Sequence, residues 1–472
     1  MKTRNIITRL APVLLAFFVL LKAPPNHAAT LEAPWKAGVA SIVITPDQPM
    51  WMAGYASRTN TSRGKAHDLY AKALALDDTR GTRIVIVTLD LIGVPRSLRQ
   101  AVEAEVTREH GLARENLLMN CSHTHSGPEF RMGRGPQDWA MFGKEATPGA
   151  KPGDVYGREL TTNLVNLVRR AIANSTASRL AYQHARCGFA MNRRTSFGTN
   201  YNNFPNPDGP VDHDVPVLRV EGMDGKLRAV LFGYACHNTT LALYQWSGDY
   251  AGFAQQYFEK DNPGVTALFM EGCGGDQNPY PRGTLDLAQQ HGRALATAVE
   301  AALQTRPVPL TGPLQLAYAE VDIAYDTPPT RAEFEARLKS SNKYEAKHAR
   351  RFLDLMDKGE GLPKSYSFPV QVAHFGNALT FVGLPGETVV DYALRLKHEM
   401  AGKGGPALWI AGYCNDVMGY VPSARLLREG GYEPHSSVIY SEIHPAPWHA
   451  SVEERIIGKV HALNAGLNRN DR

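Results

Sequence analysis

The sequence lacks several features that would assign it quickly. Its five cysteines, Cys121, Cys187, Cys236, Cys273 and Cys414, include no Cys-x-x-Cys pair, which argues against a cysteine-built zinc site. Their odd number leaves at least one thiol free, and the plain reading is small buried residues at strand ends. No apolar run after residue 29 approaches the roughly twenty residues that span a bilayer. There is no internal repeat and no linker rich in proline, glycine or serine to mark a domain boundary. Charge of one sign is missing too. Of 51 Lys and Arg, four (Lys2, Arg4, Arg9 and Lys22) fall in the first 29 residues, leaving 47 against 46 Asp and Glu. A nearly neutral chain has no electrostatic footprint for nucleic acid.

The N-terminus reads as a secretory signal. Lys2, Arg4 and Arg9 form a positive start, Leu10 to Leu21 an apolar stretch broken by Pro12, and His27-Ala28-Ala29 a small-residue end. Residues 1–29 are therefore expected to be removed, giving an exported protein (periplasmic or extracellular) of residues 30–472. Retention as an uncleaved anchor is the competing reading.

Strand-like and helical stretches alternate along the rest, predicting one large mixed α/β domain with helices flanking a sheet core. Ser41–Thr45, Tyr70–Leu76, Arg83–Asp90, Asn116–Cys121 and Val265–Met270 read as strands. Val215–Val220 and Leu227–Ala235 form a hairpin with Asp224-Gly225 in the turn. Val370–Phe375 and Ala378–Gly383 pair across Gly376-Asn377. Helices are expected over 96–110, 249–260 and 285–303, over the charged stretch 332–357, and from Val452, where Ser451 and Glu454 suggest a capping box.

The chemistry is concentrated where strands end. Ser122-His123-Thr124-His125-Ser126-Gly127-Pro128 follows a buried strand, and on extended backbone an His-x-His pair faces one side. Such a pair suits a metal or a ligand beside a proton shuttle. A second strand ends in Cys236-His237-Asn238, where a purely structural histidine is the alternative. A third runs into Pro385-Gly386-Glu387, which places a carboxylate where helix capping is the competing role. A fourth delivers Glu271-Gly272-Cys273-Gly274-Gly275-Asp276-Gln277-Asn278-Pro279, a glycine-rich turn that admits a ligand or is simply tight. Four strands each releasing a polar cluster are what a composite site at one end of a sheet requires.

These motifs, in this order, resemble the catalytic domain of the neutral, non-lysosomal ceramidases, zinc-dependent amidases that release a fatty acid from N-acylsphingosine. The similarity starts with Ala37-Gly38-Val39-Ala40 and Met52-Ala53-Gly54-Tyr55-Ala56 and runs to the C-terminus. The resemblance implies one zinc ion per chain held by His123, His237, Glu387 and the tyrosine in Asn415-Asp416-Val417-Met418-Gly419-Tyr420. It makes His125 the acid–base neighbour, Arg193 of the Asn192-Arg193 step a substrate contact, and Tyr432 of Tyr432-Glu433 a donor to the developing oxyanion. Asp276 is expected to hold a histidine tautomer.

One departure matters. The family's glycine-rich turn carries a catalytic serine where this chain has Asn278, whose amide is no nucleophile but can orient water or substrate. The chain is also expected to lack the family's carboxy-terminal immunoglobulin-like domain. The reading is thus a secreted zinc hydrolase of an N-acyl amide, ceramide or a related acyl lipid. Any membrane contact would come through the substrate, and the oligomeric state is left open. The alternative is a zinc-binding relative without activity that serves as a binding protein. A two-metal phosphatase, recruiting Asp90, Asp249 and Asp276, is a remote third. Trp51, Met52, Phe204 and Tyr280 are candidates for an acyl groove, or else core.

Overall fold

In the computed structural model, residues 35–130, 152–198, 200–402, 404–441 and 443–469 are described. The segment read as a signal lies outside them. The first half holds β1 (Trp35–Val43), β2 (Tyr70–Asp78), β3 (Arg83–Leu89), α1 (Arg96–His110), β4 (Leu117–Cys121), α2 (Pro152–Ala173), β5 (Thr176–Arg186), β6 (Ala190–Phe197), β7 (Asn200–Asn206), β8 (Asp214–Gly222), β9 (Leu227–Tyr234), α3 (Asp249–Asp261) and β10 (Thr266–Glu271). The second holds β11 (Gln277–Pro279), α4 (Leu285–Gln304), β12 (Val308–Leu310), β13 (Leu314–Ala324), α5 (Arg331–Arg337), α6 (Lys343–Asp357), β14 (Ser365–Phe375), β15 (Leu379–Gly383), β16 (Glu387–Thr388), α7 (Val390–Met400), β17 (Ala407–Ala411), β18 (Tyr420–Val421), α8 (Ala424–Glu429) and α9 (Val452–Arg469).

The architecture is mixed α/β. One large sheet runs β10-β9-β8-β5-β1-β2-β3-β4, with β12 beside β5; a second runs β13-β14-β15-β17. Strands β3, β4, β9 and β10 are almost wholly apolar because both of their faces are covered. On one face Val85, Val87 and Met119 meet Val102 and Val106 of α1 and Leu164 and Val168 of α2. On the other, Leu74, Ile84, Ile86 and Leu118 pack against Phe375, Phe381 and Trp409 of the second sheet. Helices α7 and α9 cover that sheet's far side through Tyr392, Leu396, Ile456 and Val460. Among the described residues no helix is long and apolar enough to cross a membrane.

One buried side chain ties the ends of the large sheet together. Asn120 of β4 accepts from the Glu271 N–H of β10 at 2.9 Å, while its Nδ2 donates to the Glu271 carbonyl and, at 2.8 Å, to that of Gly412 after β17. The parallel pairs β3–β4, β9–β10 and β15–β17 therefore finish near one another. Ligand sites in such sheets lie beyond the carboxyl ends of the strands.

Several sequence expectations shift. β1 begins at Trp35 rather than Ser41, because Trp35 and Ala37 are core residues paired with β2 and β5. The stretch 332–357 is two helices. Thr330 and Glu333 form a capping box on α5, and the Asn342 side chain opens α6 anew. The box expected at α9 is replaced by other partners: Ser451 Oγ pairs with His449 Nδ1 at 2.8 Å and Glu454 with Arg395. The two predicted hairpins are present, and all five cysteines are free and buried, Cys121 as the last residue of β4 and the others just past β5, β9, β10 and β17.

Candidate metal centre

Strand β4 leaves the core at Cys121, and the chain then turns sharply. His123 has φ of 58°, in the left-handed region, so the His-x-His pair converges through a turn and not by strand alternation. The outcome is still a pair: His123 Nε2 and His125 Nε2 lie 3.1 Å apart. His123 Nδ1 is 2.6 Å from the Ile92 carbonyl, which can only accept, so the ring proton sits on Nδ1 and Nε2 presents its lone pair. Gly54 is needed alongside. A Cβ there would lie 2.4 Å from His125 Cγ.

His237 follows β9 in the same manner. Its Nδ1 donates to the Gly274 carbonyl at 2.7 Å, again turning Nε2 inward. Glu387 is no helix cap. It lies in β16, which pairs in parallel with β18 so that Glu387 stands opposite Tyr420. The cap of α7 is instead Asp276, whose Oδ1 accepts the Val390 N–H at 2.9 Å.

Four groups predicted from distant parts of the chain thus meet. Glu387 Oε2 is 3.2 Å from both His123 Nε2 and His237 Nε2, and Tyr420 Oη is 3.2 Å from His237 Nε2. Glu387 Oε2 is buried and has no hydrogen-bond donor. Even with the Tyr420 hydroxyl beside His237 Nε2, a carboxylate oxygen without a donor facing two imidazole lone pairs is repelled unless a cation sits among them. The donor set therefore fits a divalent metal. His125 stands close enough to be counted with it, since ligand atoms of His123, His125 and His237 all lie within 4.8 Å. Burial, then Arg193, lowers the His237 pKa to about 3; burial, then the other histidines, lowers that of His125 well below its usual value. Both rings are neutral at physiological pH, the form that binds metal or takes a proton.

Arg193 joins this centre to its support. Its Nη2 donates to Tyr420 Oη at 3.0 Å, Nη1 to Asn278 Oδ1 at 3.2 Å and Nε to Glu433 Oε1 at 2.9 Å. Burial opposes its charge, but Tyr420 and Glu433 keep it protonated. The Tyr432 ring lies 5.4 Å from that of Tyr420, and burial raises its phenol so that it remains a donor. Asn278 also accepts from Thr239 Oγ1 at 3.4 Å. Asp276 does not meet a histidine. Its second oxygen accepts from Asn192 Nδ2 at 3.0 Å, and backbone carbonyls fix both tautomers.

Other participants escaped sequence reasoning. Tyr413, fully buried with φ of 53°, lays its ring 4.7 Å from that of His123. Glu271 accepts the Cys236 N–H at 2.9 Å and the Asn238 amide at 3.2 Å, and the Asn238 carbonyl receives the His125 N–H. Burial keeps that carboxyl protonated. Left-handed backbone and a buried acid leave no periodic trace. Of the groove candidates, Met52 is core, Tyr280 stands beside Asn278, and Phe204 is exposed on the β6–β7 hairpin against Phe197. A separate cleft of about 850 Å³, lined by Tyr182, His184, Arg306 and Asn377 among others, contains none of these site residues.

Comparison with known proteins agrees with the geometry. The family model for the N-terminal part of neutral/alkaline non-lysosomal ceramidases matches residues 35–301, more than half of the chain. Neutral ceramidase A of Dictyostelium discoideum is 25% identical over 275 residues, 53% of this chain and 37% of that protein. Neutral ceramidase B of the same organism is 26% identical over 253 residues, 49% and 33% respectively. The aligned part thus spans well under half the length of these relatives. A solved ceramidase complexed with C2 has the same fold, with a TM-score of 0.71, 18% identity, and 93% of this chain and 76% of that one covered. The neutral ceramidase from Pseudomonas aeruginosa gives 0.69, 20%, 92% and 75%.

Proposed function

The chain belongs to the neutral/alkaline non-lysosomal ceramidase family, and we propose that it is an exported zinc-dependent hydrolase that cleaves an N-acyl amide, ceramide or a related acyl lipid. The observation that carries this reading is the acceptor cluster of His123 Nε2, His237 Nε2 and Glu387 Oε2, closed by Tyr420 Oη. These four would hold one zinc per chain. Zinc bound there supplies Lewis-acid polarisation and makes water in its reach more acidic.

The remaining steps belong to side chains of this protein. His125, neutral and with Nε2 beside His123, accepts the proton of the attacking water and passes one to the leaving amine. Tyr432 and Arg193 face the developing oxyanion, where one placed donor is worth about 3–4 kcal/mol. Asn278, held by Arg193 and Thr239, orients water or the amide where the family's serine would stand. Convergence of every one of these groups leaves the non-catalytic alternative without support. Export rests on the composition of residues 1–29.

The test is fatty-acid release from N-acylsphingosine in detergent by the zinc-loaded mature protein, beside a Glu387→Ala control. Release that depends on Glu387 is expected. Zinc retained in full by the control would remove Glu387 from the ligand set, and a wild-type protein that binds zinc but releases nothing would take ceramide off the list.

A further inference from the structure

Two arginines stand beside His125 and Asn278 without an ion pair among the described residues. Arg58, only 7% exposed, donates from Nη1 to the His125 carbonyl at 2.7 Å and from Nη2 to the Leu243 carbonyl at 2.9 Å, while its Nε has no partner. Burial lowers its pKa to about 10, so it remains a cation. Its guanidinium sits 4.9 Å from the centre of the Tyr55 ring, itself 4.9 Å from the His125 ring. Arg282, exposed, lies over Tyr280 with Nη1 3.4 Å from Thr239 Oγ1, the hydroxyl that also contacts Asn278. Neither arginine forms an ion pair among the described residues.

Tyr55 locates the two together. Its hydroxyl donates to the Leu241 carbonyl at 2.8 Å; burial and then Asp249 push the phenol up, while Arg282, Arg58 and Arg193 oppose the rise. Asp249 is fully buried, with its oxygens committed to the N–H groups of Leu241 and Tyr250 at 2.8 and 2.7 Å. The opposite wall is different. There Arg193 and Arg194 are paired with Glu433, and the lining continues as Tyr432, Tyr440 and Tyr344, ring centres 6.4 and 5.0 Å apart. On one side the arginines lack a carboxylate partner among the described residues, on the other they are paired.

In amide hydrolysis the water oxygen bonds to the acyl carbon, the C–N bond breaks, and the nitrogen leaves with a proton, giving a carboxylate and an ammonium. Resting on the hydrolase reading above, in which His125 delivers that proton, the amide nitrogen and its substituent must face the His125 wall. We propose that the amine half of the substrate carries an anionic group, recognised by Arg282 in the field of Arg58, so that the preferred substrates are N-acyl amines of the acyl amino-acid type. The unmatched guanidinium supplies a bidentate partner that a carboxylate, sulfonate or phosphate fits and a neutral alcohol does not.

Three ligands with one acyl chain separate the possibilities: N-lauroylglycine, N-lauroyltaurine and N-lauroylethanolamine. Each is titrated calorimetrically into the zinc-loaded full chain and then assayed for laurate release. Both anionic ligands are expected to bind, and to show kcat/KM, about tenfold better than the neutral one, the scale of one charge-assisted contact. The advantage should shrink with added salt. Arg282→Glu, checked for an unchanged melting temperature, should abolish the ratio, and a preference for glycine over taurine would name carboxylate as the group. Equal constants for all three ligands would overturn the head-group assignment and leave hydrolysis standing. Selective binding of the anionic pair without cleavage of any ligand would keep the assignment and overturn the hydrolase reading.

Discussion

Two neighbouring regions satisfy their polar groups in opposite ways. Behind the pocket, Glu433 joins Arg193 to Arg194, Arg425 pairs with Asp391 and Glu429, and Asp276 binds Asn192 and the start of α7, so every charge has a partner. Within the site, Glu387 Oε2 crowds against His123 Nε2 and His237 Nε2 and has no donor of its own. A protein that pairs its buried charges so thoroughly a few ångströms away has not left the Glu387 oxygen without a donor between two imidazoles through poor packing. The unmet need marks the working part, and the paired layer is the frame that holds it.

The contrast can be broken from either side. The largest effect is expected inside the pocket: His237→Ala should lower turnover by roughly 10³-fold or more, the scale of losing several kcal/mol of polarisation, with zinc content falling alongside. Next, Glu433→Gln leaves Arg193 buried without a counter-charge, while Arg194 keeps Glu429. It should cost about 3–5 kcal/mol of stability, read as a lower urea midpoint.

A subtler test uses Asp276, whose carboxyl burial, and then Asp391, pushes from 3.8 up to about 6. Between these values the folded protein keeps a proton that the unfolded chain has released. Stability should therefore fall as pH rises through that window, by up to about 3 kcal/mol. Asp276→Asn should flatten the slope in chemical denaturation series at pH 4 to 7; an unchanged slope would show that the carboxyl is not raised. The smallest effect lies outside both regions. Thr330→Ala removes the α5 capping box and should cost about 1 kcal/mol, with hydrolysis unaffected.

How much of this was legible in the sequence depends on what kind of order produced it. Apolar runs such as Arg83–Leu89 and Thr266–Glu271 are near-continuous because both faces are covered, so they announce themselves as buried strands. Likewise, His123, His237 and Glu387 were legible as polar clusters following such strands. The polar hairpin β6–β7 and the half-exposed strand β13 carry weaker patterns and went unseen. The left-handed turns at His123 and Tyr413, the closure of the sheet by Asn120 and the buried acid Glu271 are tertiary bargains with no local period. Ser451 and Glu454 show the converse: a correct local motif lost to His449 and Arg395.

The central claim is that the crowded acceptors are a zinc site, and zinc-edge X-ray absorption on the purified full chain, with elemental analysis, tests it most directly. The account predicts one zinc per chain with a nitrogen and oxygen shell that includes imidazole scattering. Absence of stoichiometric metal, or a shell containing sulfur from the buried cysteines, would contradict it.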